Sequence, residues 1–398
     1  MRDDEIIYLD NNATTQLDPV VVEEMLPFLT SYYGNPSSGY GFAAKARKAI
    51  DLARERLAAL LGCEPPEIVF TSGGTESNNT AIASTLQFEL RGRHVVTSAV
   101  EHSAVLHPCQ DLAKRGCTVT FLGVDRDGNV DLGELKAAIL PETALVSIMW
   151  ANNETGVLFP VEKIAEICCE KGVLFHTDAV QAAGKIPIRL RDTAINFLSL
   201  SAHKFHGPKG VGALYVNRRT RFHPLIVGGG QENGRRGGTE NVASIVGLGK
   251  AAERAAECMP EEKTHVQGMR DRFEKRILET VSAASVNGAD AARLPNTSSF
   301  SFDGIESPAA LLLLDRHRIC CSAGSACRTG SEEASHVLRA MDPSGDGARR
   351  SLRFSFGRFN TDSQIDRAIE LVPKAIEKLR QMAAQARGSA VPSVAAAS

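Results

Sequence analysis

The chain has 398 residues, which suggests roughly two or three domains, and its 43% hydrophobic and 23% charged residues are ordinary for a globular protein. Its 45 basic and 47 acidic residues nearly cancel to a formal net charge of −2, which excludes a global attraction to nucleic acids or membrane surfaces. No apolar run approaches the roughly 20 residues of a membrane span, and the acidic first residues lack the pattern of a signal peptide. We therefore expect a cytoplasmic protein without membrane or direct nucleic-acid partners.

Apolar strands alternate with helical stretches as far as about Pro260. A glycine-rich turn and a helix from about Glu76 follow the first of these strands, and apolar residues from Val161 to Cys168 recur at helical spacing. The predicted strands lie at 67–70, 94–97, 144–149, 172–176, 196–200 and 211–216. This alternation predicts an α/β fold with a mostly parallel central sheet and helices on both faces.

The pattern changes after about Pro260. A long charged helix is expected at 261–281, followed by a strand at 298–302, a helix at 308–316 and a strand at 353–356. A last helix begins near Thr361, which has the capping-box spacing with Gln364. We interpret this part as a smaller α+β domain, and the low-complexity residues 383–398 as a disordered tail.

Several polar residues follow predicted strands, and ligands of open α/β sheets bind outside the carboxyl ends of strands. In "TSGGTESNN" (71–79), two glycines allow close approach of the backbone, and Thr75 can cap a helix and bind an anion. Taken alone, this segment is an ordinary turn as often as a phosphate site. Asp178 alone would be a helix cap, His102 a structural histidine, and Asn153 part of a turn.

Lys204 is the least ordinary of these residues. It follows the predicted strand at 196–200 between two histidines, and burying an ammonium group without a partner is costly. The two histidines lack the third ligand that a metal site would need. The whole set of strand-end residues matches pyridoxal phosphate, whose phosphate needs a helix N-terminus and whose pyridinium nitrogen needs an aspartate such as Asp178. Its phenolic oxygen needs an amide such as Gln181, and its aldehyde needs a lysine.

Eight segments, in this order, resemble the cysteine desulfurases of the NifS type, which are class I relatives within the fold-type I pyridoxal phosphate enzymes. The segments are "YLDNNATT", "GNPSS", "FTSGGTESNN", "MWANNETG", "FHTDAVQAAGK", "SLSAHKFHGPKGVG", "GRRGGTEN" and "SAGSACRTGS". The resemblance covers nearly the whole chain and implies a homodimer of fold-type I transferase subunits. It also implies a large cofactor domain at 16–261 and a small domain from residues 1–15 and 262–382, with a mobile cysteine loop at about 321–334.

The resemblance also implies roles for individual residues. Lys204 would carry the cofactor covalently, and His102 would stack on its ring. Asp178 would pair with the pyridinium nitrogen, and Gln181 with the phenolic oxygen. The residues that would hold the phosphate are Gly74, Thr75, Ser201 and His203, together with Thr239 of the partner subunit. Asn153 would line the cofactor and substrate site, and Arg353 would grip the substrate carboxylate.

Cys327 matches the nucleophilic cysteine of the family and lies in a stretch too polar and glycine-rich to be core. The resemblance implies that Lys204 and His102 are the other catalytic residues. It also implies conversion of L-cysteine to L-alanine with the sulfur held as a persulfide. An iron-sulfur scaffold protein would accept the sulfur, with nitrogenase clusters as one destination. A selenocysteine lyase, an aminotransferase of the same fold, a sulfur donor for tRNA thiolation and an inactive assembly scaffold remain alternatives. No metal site is assigned, apart from Cys327 as a candidate iron-sulfur ligand during transfer.

Overall fold

The computed structural model describes residues 6–88, 92–323, 335–342, 344 and 347–389. The strands are β1 (Ile7–Tyr8), β2 (Ile68–Thr71), β3 (His94–Ser98), β4 (Thr118–Leu122), β5 (Thr143–Ser147), β6 (Leu174–Asp178), β7 (Phe197–Ser201), β8 (Gly212–Val216), β9 (Ala284–Val286), β10 (Thr297–Phe302), β11 (Ile319–Cys320) and β12 (Ser351–Ser355). The helices are α1 (Pro19–Thr30), α2 (Gly41–Leu61), α3 (Gly74–Phe88), α4 (Ser103–Lys114), α5 (Leu132–Ala138), α6 (Val161–Lys171), α7 (Val242–Glu261), α8 (Gln267–Thr280), α9 (Ser307–Arg316), α10 (His336–Met341) and α11 (Asp362–Ser389).

The central sheet contains seven strands in the order β2-β8-β7-β6-β5-β3-β4. Its strands pair in parallel, except that β8 is antiparallel to both of its neighbours. Parallel pairs need a long connection, often a helix, whereas a short segment containing Lys204 joins β7 to β8 and reverses the chain. The predicted α/β class with a mostly parallel sheet is confirmed.

Helices cover both faces of this sheet. Alternate residues of a strand point to opposite faces, and accordingly Val96 joins the largest hydrophobic core while its neighbour Val95 packs with Val105 of α4. Helices α2 and α7 pack so closely on one another that a Cβ atom at Gly249 would lie only 2.4 Å from the Cα of Ala53. Glycine at this position therefore allows the two helices to approach.

A second, smaller sheet has the order β12-β10-β9, and its strands are antiparallel. Its core is aromatic: the ring of Phe273 on α8 lies 4.9 Å from that of Phe354 and 5.5 Å from that of Phe356, between ring centroids. The expected capping box starts α11, because the Gln364 amide donates to Thr361 Oγ1 (3.3 Å) and the Thr361 amide donates to Gln364 Oε1 (3.2 Å).

The N-terminal segment connects the two sheets. Strand β1 pairs in parallel with β11, and the Asn11 amide then donates to the carbonyl of Ser355 at the end of β12 (3.1 Å). Four residues later the Thr15 amide donates to the carbonyl of His203 (2.9 Å), directly beside Lys204. This crossing places residues of the N-terminal segment over the carboxyl edge of the central sheet.

The structure differs from the sequence prediction at three places. A π-helical stretch, Glu262–Val266, joins α7 to α8, so the chain stays helical where we placed the boundary between the two domains. Helix α10 packs through Val337 and Leu338 on the core of the larger sheet, although it lies within 262–382. Helix α11 continues to Ser389, past the predicted start of the tail. The domain boundaries remain predictions, and residues 324–334 and 390–398 lie outside the described residues.

Within the described part of the chain, none of the helices combines the length and the apolar character that crossing a membrane requires. The same residues contain no cluster of three or more His, Cys, Asp and Glu side chains that could hold a metal ion.

Candidate active site

A cavity of about 390 Å³ opens at the carboxyl ends of the parallel strands. Residues that follow β2, β3, β5, β6 and β7 line it, and the N-terminal segment and β12 complete the wall. All of the predicted site residues except Thr239 and Cys327 lie on this wall: Gly74, Thr75, His102, Asn153, Asp178, Gln181, Ser201, His203, Lys204 and Arg353. The topology thus brings together side chains that are up to several hundred residues apart in sequence.

Lys204 has partners for its amine. Strand β7 ends at Ser201, and one 3₁₀ turn, Ala202–Lys204, carries the lysine to the cavity wall. Its Nζ donates to the backbone carbonyls of Asn12 (2.6 Å) and Ala13 (2.8 Å). These two carbonyls satisfy the amine without neutralising it, so the lysine is held in place and remains available for chemistry.

Asp178 is a buried carboxylate on the cavity wall with two kinds of partner. Its Oδ1 accepts from the amide of Val180 (3.0 Å), as a turn-capping aspartate does, and its Oδ2 accepts from Nδ2 of Asn78 (2.6 Å). Asn78 also lines the cavity and is fully buried on α3. We did not single it out from the sequence, although it lies in the segment "TSGGTESNN". The capping role and the cavity role of Asp178 therefore coexist.

His102 presents a neutral ring to the cavity. It begins α4, where its Nδ1 accepts from the amide of Ala104 (3.1 Å) and so carries no proton itself. Burial lowers the pKa of His102, and the charge of Lys204 lowers it further, although Asp178 opposes both effects. A neutral imidazole is suited to stacking on an aromatic ring, and because Nδ1 accepts from Ala104, its proton is on Nε2.

An anion site lies at the start of α3. The first amides of a helix have no partner within it, and the helix dipole adds positive potential there. Gly74 is needed at this point because a Cβ atom would come within 2.6 Å of Cγ2 of Val180. The acidic residue of the same turn, Glu76, is neutralised by Nε of Arg236 (3.0 Å). Burial and the charge of Lys204 lower the pKa of His203, on the opposite side, to about 4, so this ring is neutral.

Arg353 is buried in β12 and held from two sides. Its Nη1 donates to the carbonyl of Asn153 (2.8 Å), and its Nη2 pairs with Oδ1 of Asp10 (2.7 Å). Its Nε is buried and has no hydrogen-bond partner among the described residues. Arg353 also lines the cavity, where its guanidinium group suits a bound carboxylate. No local sequence pattern indicates this role of Asp10, because its contact with Arg353 spans 343 residues.

The residues of this cavity fit pyridoxal phosphate. A glycine-permitted helix start offers amides to the phosphate, and a buried carboxylate and an amide lie farther along the wall. A lysine amine is held beside them by two carbonyls. These are the groups that the phosphate, the pyridinium nitrogen, the phenolic oxygen and the aldehyde require.

Two predicted residues are not placed in this cavity. Thr239 is exposed and lies beside a neighbouring pocket with Phe70 and Arg236. Its role toward the cofactor of a partner subunit stays a prediction. Cys327 lies outside the described residues, and no cysteine is among the residues that line the described cavity.

Comparisons with known proteins agree with this geometry. The family model described as aminotransferase class-V matches residues 7–368. A cysteine desulfurase of Gluconacetobacter diazotrophicus is 53% identical over 378 residues, with 94% of each chain covered. The cysteine desulfurase NifS of Azotobacter vinelandii is 50% identical over 377 residues, again with 94% of each chain covered.

Solved structures give the same result. A NifS-like protein matches with a TM-score of 0.88 at 39% identity, covering 94% of this chain and all of the other. The structure titled SspA in complex with cysteine matches with a TM-score of 0.78, also at 39% identity, covering 89% of this chain and 99% of the other.

Proposed function

Because the chain belongs to the class-V aminotransferase family, and within it to the cysteine desulfurases, we propose that it converts L-cysteine to L-alanine and takes up the sulfur as a cysteine persulfide. The observation that carries this proposal is the single cavity in which Lys204, Asp178 and Arg353 meet. Enzymes of this family use pyridoxal phosphate. Bound there, this cofactor supplies an electron sink that acidifies the α-proton of the amino acid and weakens the carbon–sulfur bond of cysteine.

The chain's own residues divide the remaining work. Lys204 would carry the cofactor and, once the amino group of cysteine displaces it, would hold and move the α-proton at Nζ. Asp178 would keep the pyridine nitrogen protonated. Arg353 would bind the substrate carboxylate through its guanidinium group, which Asp10 orients. His102 would lie against the ring as a neutral imidazole.

We propose Cys327 as the acceptor of sulfur. Of the nine cysteines in the chain, the structure describes eight. None of these eight lines the described cavity, and burial raises the pKa of Cys63, Cys109 and Cys168 to about 12. A thiol with so high a pKa is almost never the thiolate that attacks. Cys327 is the ninth.

The transfer step balances without an external oxidant. The thiolate of Cys327 forms a bond to the sulfur of cysteine as the carbon–sulfur bond breaks, and the bonding pair stays with the substrate carbon. Protonation of that carbon gives alanine, and the enzyme thiol becomes a persulfide. We propose an iron-sulfur scaffold protein as the next acceptor, and the name NifS among the relatives favours nitrogenase clusters as a destination.

The first prediction concerns the overall reaction. The protein loaded with pyridoxal phosphate and given L-cysteine and a reducing thiol should release alanine and sulfide in equal amounts, because each persulfide comes from one carbon–sulfur cleavage. Amino-acid analysis and a sulfide assay on the same sample measure both. Formation of a keto acid instead would indicate an aminotransferase. Turnover of selenocysteine alone would indicate a selenocysteine lyase, and the absence of any alanine would indicate an inactive scaffold.

We also propose that the enzyme is a homodimer that shares residues between its two sites. Apolar side chains are exposed on α1 and in the segment after it, including Leu29 and Tyr33, whose ring packs edge-on against the exposed Phe42. Thr239 lies in an exposed segment and does not line the cavity of its own chain. A partner subunit that covers the apolar surface could also receive Thr239 at its phosphate site.

Hybrid dimers test this arrangement. A Lys204→Ala subunit paired with a Thr239→Asp subunit has one site with both defects and one site with neither, if the site is shared. Purified hybrids should therefore recover about half of the wild-type activity, whereas both mutant homodimers should be weak because one lacks the lysine and the other places a carboxylate beside the phosphate.

Thr239→Ser, which keeps the hydroxyl, is the matched control and should behave as wild type. Hybrids that stay as weak as the two mutant homodimers would show that Thr239 serves the site of its own chain. A fully active Thr239→Asp homodimer would show that Thr239 serves neither site.

A further inference from the structure

Lys185 is a second buried lysine, behind the wall of the active-site cavity. Only 6% of it is exposed. Its Nζ donates to Oε1 of Gln181 (2.9 Å) and to Oδ1 of Asn12 (3.3 Å). It is not among the residues that line the cavity, so it does not touch a ligand there. The reaction described above gives this buried cation no task.

The two amide partners of Lys185 both belong to the cavity wall. The orientation of Asn12 is fixed elsewhere, because its Nδ2 donates to the carbonyl of Asn153 (3.2 Å) and to Oγ1 of Thr297 (2.9 Å). Its oxygen therefore faces Lys185. Nε2 of Gln181 donates to the backbone carbonyl of Asn12 (3.0 Å), the same carbonyl that accepts from Lys204.

An ammonium group donates hydrogen bonds and cannot accept them. The oxygen of the Gln181 amide therefore faces Lys185, and its NH₂ group faces away. One N–H of that group is used by Asn12, and the second is left for the cavity. Lys185 and the carbonyl of Asn12 together fix which end of the Gln181 amide a ligand in the cavity meets.

We propose that Lys185 is a positioning residue, which holds the N–H of Gln181 toward the phenolic oxygen of the bound cofactor. The inference rests on the proposed contact between Gln181 and that oxygen. It explains why a lysine is kept at a site where a neutral side chain would be easier to bury. The phenolic oxygen, which is negative when ionised, would offset the repulsion that Lys185 experiences in the structure described here.

That repulsion is visible in the electrostatics. Burial, together with the charges of Lys204 and Arg353, lowers the pKa of Lys185 to about 7, although Glu262 opposes these effects. Two histidines, His203 and His206, also lie near enough to interact with its charge. The only carboxylate in this group, Glu262, has its own pKa raised by burial, so it compensates only partly for the cations.

The experiment compares Lys185→Met with wild type by two measurements that do not depend on turnover. The dissociation constant for pyridoxal phosphate should rise about 10- to 100-fold, the range for losing one hydrogen bond to a charged group. The pH midpoint of the visible absorbance of the bound cofactor should rise by about one unit, because the phenolate loses the donor that Lys185 holds toward it. Thermal unfolding of the cofactor-free variant checks the fold.

Lys209→Met is the matched control. Lys209 lies on the rim beside the anion site, so its substitution removes the same charge. In the described structure no hydrogen bond joins Lys209 to the side-chain amide of Gln181 or Asn12. It should shift the midpoint much less. Lys185→Gln serves if Lys185→Met does not fold, because glutamine keeps a neutral donor of similar size. Its pH midpoint should shift in the same direction by a smaller amount.

Gln181→Ala separates this inference from the proposed role of Gln181. If Lys185 acts through Gln181, adding Lys185→Met to Gln181→Ala should change the midpoint little further. Full additivity would overturn the positioning role, and so would an unchanged midpoint in Lys185→Met. An unchanged midpoint in Gln181→Ala alone would instead refute the contact between Gln181 and the cofactor.

Discussion

Lys204→Ala should abolish the release of alanine and sulfide, with a loss of at least about 10⁴-fold, the upper range for removing one acid–base group. The variant loses both the amine that attaches the cofactor and the base that moves the α-proton. It should still fold, because the two carbonyls that accept from Nζ, those of Asn12 and Ala13, lie at the cavity and can be hydrated once the amine is gone. It should also still bind pyridoxal phosphate reversibly, since the anion site at α3 is unchanged.

The measurement is borohydride reduction followed by mass spectrometry, which fixes a cofactor that is covalently attached to the chain. Wild type should carry the mass on the peptide with Lys204, and Lys204→Ala should carry none. Lys209→Ala, five residues along on the same connection between β7 and β8, is the control and should be labelled as wild type. Labelling of Lys204→Ala at Lys185 would move the attachment to the second buried lysine and refute our assignment.

Six of the seven strands of the central sheet, all but β4, and most of the cavity wall could be predicted from the sequence because their signals are local. A run of apolar residues followed by a polar residue marks both a buried strand and its carboxyl end, where ligands bind. Asp178 and Lys204 follow such strands directly, and parallel pairing then brings them to one edge. No long-range information is needed for that step.

Residues that support the wall from behind could not be predicted in this way. Asp10 orients Arg353 from 343 positions away, and Asn12 reaches Thr297 from 285 positions away. Lys185 lies beyond the strand end, where the sequence shows only a lysine after a glycine. Such contacts depend on how the N-terminal segment crosses between the sheets, and no local pattern encodes that path.

The ends of elements were also hard to predict where helix continues through a change in composition. The stretch Glu262–Val266 keeps the chain helical because extra residues can be accommodated as a π-helical turn between two amphipathic helices. The residues before Ser389 are mostly good helix formers, such as Ala and Arg, so α11 extends into a segment whose low complexity had suggested disorder.

Cys327→Ser should separate cofactor chemistry from sulfur transfer. The variant should retain the absorbance of the bound cofactor and its change on adding L-cysteine, because binding uses Lys204, Asp178 and Arg353 and no cysteine lines the described cavity. Persulfide and sulfide should fall by at least about 100-fold, since a hydroxyl group is far less ionised than a thiol and cannot accept sulfur as a persulfide. Mass spectrometry after limited turnover should place the extra sulfur of wild type on the peptide with Cys327.

Cys321→Ser is the control, because Cys321 is the cysteine that lies nearest to Cys327 in sequence. Burial and the charge of Asp10 raise the pKa of Cys321, so it is not a thiolate at neutral pH. Its substitution should cost stability, by burying a hydroxyl, and leave the ratio of alanine to sulfide unchanged. Cys169 gives the sharper alternative, because it is exposed on α6 and could be oxidised by free polysulfide, yet it does not line the cavity. Extra sulfur found on the peptide with Cys168 and Cys169, and retained in Cys327→Ser, would mean that the persulfide forms by transfer through solution and that Cys327 is not the nucleophile.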